Sequence, residues 1–319
     1  MTADAALVLG PALDTVSRVL GLCDRQAGSP TAGCCDRNHW HYRTTDFANA
    51  RMQEAGWLLA IAYAAPVPGN RFHGQQALLG WSQRIWQFWL TCRNGDGTVP
   101  EVYPYERSNC ATSFTAACFV ETVALLGGAS QWRDEIATAE RSFAWLATHA
   151  SPGIGNQLAA SLLALTGFAR LTGNREISIA ARRRRDEFLS IVEADGTYPE
   201  YGGFDAGYQS ITLSTLVRVL RHCDPDPELE AAMVIGESRL SAAIDNLGRT
   251  SPDRNARRTQ FLYPYGLAAR KSPALAKIAA GLRDQAILRP TWMDDRYCIP
   301  MAADYFLTAW ELCHANDAG

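Results

Sequence analysis

Asp96-Gly-Thr-Val-Pro-Glu101 returns about a hundred residues later as Asp195-Gly-Thr-Tyr-Pro-Glu200. Each copy is followed by tyrosines and then by a helix-forming segment of small residues. An internal repeat of this kind means that one structural unit is used more than once. Asp-Gly marks a turn, and the proline two residues later forces an extended link before the next helix. Midway between the copies, Ser151-Pro-Gly-Ile-Gly-Asn156 makes a third junction of loop and helix. Similar junctions stand near 38–46, 257–265 and 294–300, six in all.

The segments between junctions alternate in character. Residues 70–92 place Phe72, Leu78, Trp81, Ile85, Phe88 and Trp89 on one stripe, the pattern of a one-sided surface helix. Residues 130–148, 174–193, 226–246 and 272–288 are also richly charged. By contrast, 108–126 and 156–171 are small or apolar on nearly every face, as a buried helix must be. Strand alternation is absent. A polar outer helix, a loop and a buried inner helix, six times over, predict an all-α protein. Its form would be a single (α/α)6 toroid domain of about twelve helices over residues 1–319. The alternative is a linear α-solenoid, whose repeats are shorter and need no polar aromatic junctions.

Composition narrows the function. The net charge is −3 and the only basic run is Arg182 to Arg185, so no nucleic-acid partner is expected. No run approaches the ~20 apolar residues of a membrane span, so no membrane partner is expected. The N-terminus carries an acid and no basic region, unlike a secretion signal. The nine cysteines are scattered, several within apolar helical patterns. Both features point to a reducing cytoplasm. Trp81 and Trp89 on an outer helix would make a homodimer surface if exposed, or else pack on inner helices.

In a toroid the loops entering the inner helices share one end of the ring. The junctions would therefore pool Asn38, His39, Trp40, His41, Arg43 and Arg51 with Glu101, Tyr105, Glu106 and Arg107. Asn156, Gln157, Glu200, Tyr201, Asp205, Tyr208, Gln209, Arg258, Tyr263, Asp295 and Arg296 join them, and Glu54, Arg257 and Tyr297 stand at the same junctions. Aromatic faces stack on sugar rings, carboxylates and amides bind hydroxyls, and arginine forks bind carboxylate or phosphate. Simpler roles stand beside these. Asp46, Ser108, Asn156 and Asp205 sit where helix caps would, Gly202-Gly203 suits a turn, and Glu106 with Arg107 suits an ion pair. Cys34, Cys35, His39 and His41 hint at metal, but no second Cys-x-x-Cys pair or His-x3-His completes a set. No metal and no cofactor are expected. There is no Gly-x-Ser-x-Gly elbow, Walker loop or dinucleotide fingerprint.

Four stretches carry a family resemblance: His39 to Arg51, Pro100 to Ser108, Tyr198 to Gln209 and Asp294 to Tyr297. Through them the chain resembles the α/α-toroid proteins of carbohydrate metabolism, most of all the helical domain of heparinase II/III-type and alginate-lyase-type enzymes. Those lyases add a β-rich domain and are usually exported. Neither feature is expected here, so the expected substrate is a cytosolic oligosaccharide or glycosylated small molecule.

The resemblance implies a lyase or epimerase acting on a uronate-like sugar. His39 or His41, with Tyr208 or Tyr105, would move the proton beside the carboxylate, and Arg107 or Arg258 would neutralise that carboxylate. A glycoside hydrolase would instead draw an acid and a base from Glu106, Glu200, Asp205 and Asp295. An isoprenoid cyclase or prenyltransferase would need an aromatic-lined cavity for a carbocation. A toroid that only binds glycans is the non-catalytic alternative.

Overall fold

The computed structural model describes the backbone of residues 2–317 and the side chains of residues 2–314. The chain is all-α. In order, the helices are α1 (Ala3–Leu22), α2 (Arg37–Trp40), α3 (Ala55–Ala64), α4 (Gln76–Thr91), α5 (Asn109–Leu125), α6 (Arg133–Thr148) and α7 (Gly155–Thr172). There follow α8 (Arg175–Ile191), α9 (Ala206–Leu220), α10 (Pro227–Ala243), α11 (Tyr265–Ala269), α12 (Ala274–Arg283) and α13 (Cys298–Asp317). Only three isolated bridges and no strand occur among the described residues.

The odd-numbered helices from α3 to α13 form the inner ring. Each packs on the next, and α13 closes the circle on α3. The outer helices are α4, α6, α8, α10 and α12, and α1 supplies the sixth by packing along α13. The expected (α/α)6 toroid is the observed architecture. Inner helices are buried nearly all round: α3 buries every residue from Ala55 to Ala62, and α5 buries Ala111–Ser113 and Thr115–Val123. Outer helices bury one stripe. On α4 that stripe includes Trp86 and Trp89, both fully buried against Phe119 of α5 at ring-centroid distances of 5.6 and 5.4 Å. Trp89 thus packs inward rather than on an outer surface, and Trp81 is half-buried against the same core.

The Asp-Gly-Thr turns are seats. Gly97 lies at φ +94°, and a Cβ there would fall 2.5 Å from the Arg141 carbonyl carbon on α6. Gly196, at φ +85°, would place one 2.3 Å from the Ile235 carbonyl oxygen on α10. Only glycine fits such a contact in that conformation. Each turn therefore docks on the backbone of the outer helix that follows it. Two further turns do the same without the motif: Gly33 sits against Arg84 of α4, and Gly248 against α12 at Lys277 and Ile278. All four share one pairing, Asp24 N to Cys34 O, Asn94 N to Thr98 O, Glu193 N to Thr197 O and Asp245 N to Arg249 O.

One expectation needs amending. By length and composition α1 would suffice to cross a membrane, with a mean hydropathy of 1.4. Half of that apolar window is buried in the toroid, against α13. Cys23, Cys34, Cys35, Cys92, Cys110, Cys118, Cys223 and Cys298 are free thiols.

Candidate active site

A cavity of about 500 Å³ opens at the end of the ring where the inner helices begin. Every inner helix, or the loop leading into it, contributes to its wall. Ten of the residues expected from the junctions line it: Arg51, Glu101, Glu106, Asn156, Gln157, Glu200, Tyr201, Tyr208, Tyr263 and Arg296.

Glu200 is the centre of one wall, and local sequence explains its position. The Gly155 N–H donates to the Pro199 carbonyl at 2.7 Å, which draws the start of α7 against the strand-like link before α9. A Cβ on Gly155 would meet Tyr198 Cβ at 3.1 Å, so any larger residue there would push the link back by a few tenths of an ångström. Asn156 is consequently not a cap: Ile154 occupies the N-cap position of α7, and the Asn156 amide donates to Glu200 Oε2. The other carboxyl oxygen accepts from Arg257 Nη1 at 3.3 Å. Gly202 and Gly203, both at positive φ, turn the chain back so that Glu200 and Gly203 exchange backbone hydrogen bonds. Burial pushes the Glu200 carboxyl up to about 7, against the pull of Arg257 and the Asn156 amide.

Arg257 lies over two phenol rings, 5.0 Å from the Tyr201 centroid and 5.3 Å from that of Tyr208. Asp205 places it. One oxygen of Asp205 caps α9 through the Gly207 and Tyr208 N–H groups, and the other accepts from the Arg257 N–H at 3.0 Å. The Thr259 hydroxyl also donates to this carboxylate. Asp205 is therefore consumed by backbone and hydroxyl donors. Burial raises the Tyr208 phenol well above its ordinary range, so it stays protonated.

Ion pairs join the remaining walls. Arg296 donates to Glu101 across the mouth, and Arg51 to Glu54 deeper in. Arg51 also covers the Phe114 ring at 4.3 Å and reaches Cys110 Sγ at 3.3 Å. Glu106 spends Oε2 on the N–H groups of Glu101, Val102 and Tyr103, at 2.8, 2.7 and 3.3 Å. It shapes the loop. The expected Glu106–Arg107 pair does not form; Arg107 points outward to Asp96 at 3.0 Å.

Several expected residues lie outside the cavity. His39, Trp40, His41 and Arg43 line a shallow surface depression with Asp46, apart from the ring's interior. They belong to α2 and its exit, which the expectation placed at an inner-helix entrance. The true entrance is the short 3-10 turn Ala50–Glu54, capped by Asn49 rather than Asp46. Asn38 lies in α2 as well, its carbonyl tied to Thr44 N. Tyr105 is 88% exposed at the crest of its loop and faces the outer flank of the rim. Arg258 turns to solvent at φ +55°, so its neighbour Arg257 is the one that reaches the cavity. Gln209 is buried behind the wall, bonded to Tyr198 N, Gly196 O and Gly236 O. Asp295 pairs with Arg18 of α1 at 2.6 Å, on the outside. No histidine lines the cavity among the described residues. Nor does any cluster of three or more His, Cys, Asp or Glu among them suit a metal ion.

Glu54, Arg257 and Tyr297, which stand at the same junctions, line it too, and the cavity also holds three residues the junctions did not point to: Trp57, Arg218 and Asp304. Burial pushes the Asp304 carboxyl up to about 7, although the Ser214 hydroxyl and Tyr265 N–H donate to it. Arg218 and Asp304 did leave a signal. A charged residue inside a segment otherwise apolar all round must be paired or functional.

Among solved structures, a polysaccharide lyase superposes over 97% of this chain and 98% of its own, with a TM-score of 0.57 and 12% sequence identity. The two share a fold. No protein-family model matches the chain, and no curated protein matches it by sequence.

Proposed function

We propose that the protein is a lyase that removes the proton beside the carboxylate of a uronate-like sugar held in the toroid cavity. The observation that carries this reading is Glu200. It is a cavity-lining carboxyl tuned to about 7, with a guanidinium and a protonated phenol beside it. A general base works best with its pKa near the working pH.

Arg257 holds Glu200 by a single 3.3 Å contact and has further N–H donors for a sugar carboxylate. Pairing there lets charge develop on that carboxylate as the adjacent carbon loses its proton. Glu200 takes the C5 proton, the freed electron pair forms the C4–C5 double bond, and the C4–O bond breaks. The departing oxygen receives the Tyr208 proton. Asn156 keeps Glu200 facing the cavity, and Asp205 keeps Arg257 there. The fold shared with a polysaccharide lyase agrees with this chemistry.

The carboxylate-pair hydrolase loses ground. Of its four candidate acids, Asp205 and Asp295 lie outside the cavity wall, and Glu106 spends Oε2 on its own loop. The several guanidinium groups at the wall also make it a poor host for a carbocation.

The test is mass spectrometry of uronate oligosaccharides incubated with the protein in D2O. An unsaturated product, or deuterium on the ring carbon, is expected. Hydrolysis without carbon exchange would overturn the lyase reading.

A further inference from the structure

The cavity has a floor. Arg218 of α9 donates through Nε to Glu121 of α5 at 2.8 Å, and its guanidinium lies 5.5 Å from the ring of Trp57 on α3. Helices α9 and α3 stand on opposite sides of the six-membered inner ring, with α5 beside α3. Ser214 of α9 also donates to Asp304 of α13. These contacts cross the lumen from three directions and are buried. His222 backs Glu121 from the far side. A chain entering the cavity cannot pass through.

The floor carries polar groups without partners. Glu54 Oε2, Trp57 Nε1 and Arg218 Nη2 are buried and make no hydrogen bond. All three residues line the cavity. One orphaned polar group in a fold is a local cost; an acceptor and two donors around one floor are a set that a ligand can satisfy. Their charges are already balanced, Glu54 by Arg51 and Arg218 by Glu121. What remains is hydrogen-bonding capacity without net charge, which matches sugar hydroxyls. Tyr208 and Arg218 lie ten residues apart on one helix, a rise of about 15 Å. The cavity is deep enough for a short oligosaccharide standing on end.

We infer that the floor is a subsite for the terminal sugar of a glycan chain, read through its hydroxyls, so that the protein engages chain ends and not chain interiors. As to an acidic sugar, the inference rests on the proposed lyase reading. The end-on geometry does not.

Calorimetric titration of the Glu200→Gln protein, which leaves the chains uncut, tests it, with two saturated polyuronate preparations differing twofold in length, short uronate oligomers, and neutral cello-oligosaccharides. End-on binding gives one protein per chain at both polymer lengths. Stoichiometry that doubles with length overturns the inference even if turnover is intact. Trp57→Phe removes one floor donor and should weaken oligosaccharide binding about tenfold; Glu54→Gln is the second variant, since either alone can disturb the floor. Unchanged affinity in both, with both folded by circular dichroism, also overturns it. End-on binding of neutral chains alone would sink the uronate reading and leave the floor subsite standing. If no glycan binds, both fall.

Discussion

At the scale of single residues, the site turns on carboxyls held away from their ordinary range. Glu200→Gln keeps the shape and the Asn156 contact but removes the base. It should lower kcat on an acidic oligosaccharide by about 10²–10⁴-fold. In the unchanged protein, kcat/KM should climb about tenfold per pH unit below 7 and level off above it, as Glu200 loses its proton. A pH profile that is flat between about 5 and 8 would remove Glu200 from that role. Some of this was legible. Glu200, Tyr208 and Asn156 stand at junctions that any toroid would bring together. Arg257 was not separable from Arg258, because which of two adjacent arginines faces inward depends on a left-handed residue that the sequence does not mark. His39 and His41 drew notice as a rare pair, but rarity carries no information about direction.

At the scale of elements, turns decide where helices sit. Gly196→Ala would drive a methyl into the Ile235 carbonyl at a φ that alanine resists, and should cost about 1–3 kcal/mol. Gly80→Ala on α4, where nothing lies within 4 Å, should instead stabilise by about 0.5–1 kcal/mol. Urea unfolding of the two variants checks both signs. The Asp-Gly-Thr repeat revealed two of these seats from sequence. The seats at Gly33 and Gly248 stayed hidden because a seat requires only the glycine and the backbone pairing, and the flanking side chains are free to differ. The alternation of one-sided and all-round apolar segments was enough to order the inner and outer helices, since burial leaves that mark on every residue of a helix. What it lacked was the exact entrance to α3, where a 3-10 turn carries no periodic signature.

At the scale of the whole molecule, stability should follow the buried acids. Glu200 and Asp304 are both pushed up to about 7 from ordinary values of 4.5 and 3.8. A carboxyl raised on folding favours the folded state when protonated. That contribution is complete below the unfolded pKa and is lost as pH rises through the folded one. The thermal midpoint should therefore fall between about pH 4 and about pH 7 and level off above, and Glu200→Gln with Asp304→Asn should flatten the slope. A midpoint that rises across this window in the parent would contradict the burial argument. The closure of the ring has a different consequence, in the order of synthesis. Helix α1 leaves the ribosome before the other helices of the toroid, and α13, the helix that shelters it, leaves after them. Throughout translation, the segment whose length and hydropathy would suit a bilayer stands without its native cover. The fold thus relies on a helix made late to cover one made early, and α1 stays open to chaperones and to capture by other surfaces until α13 emerges.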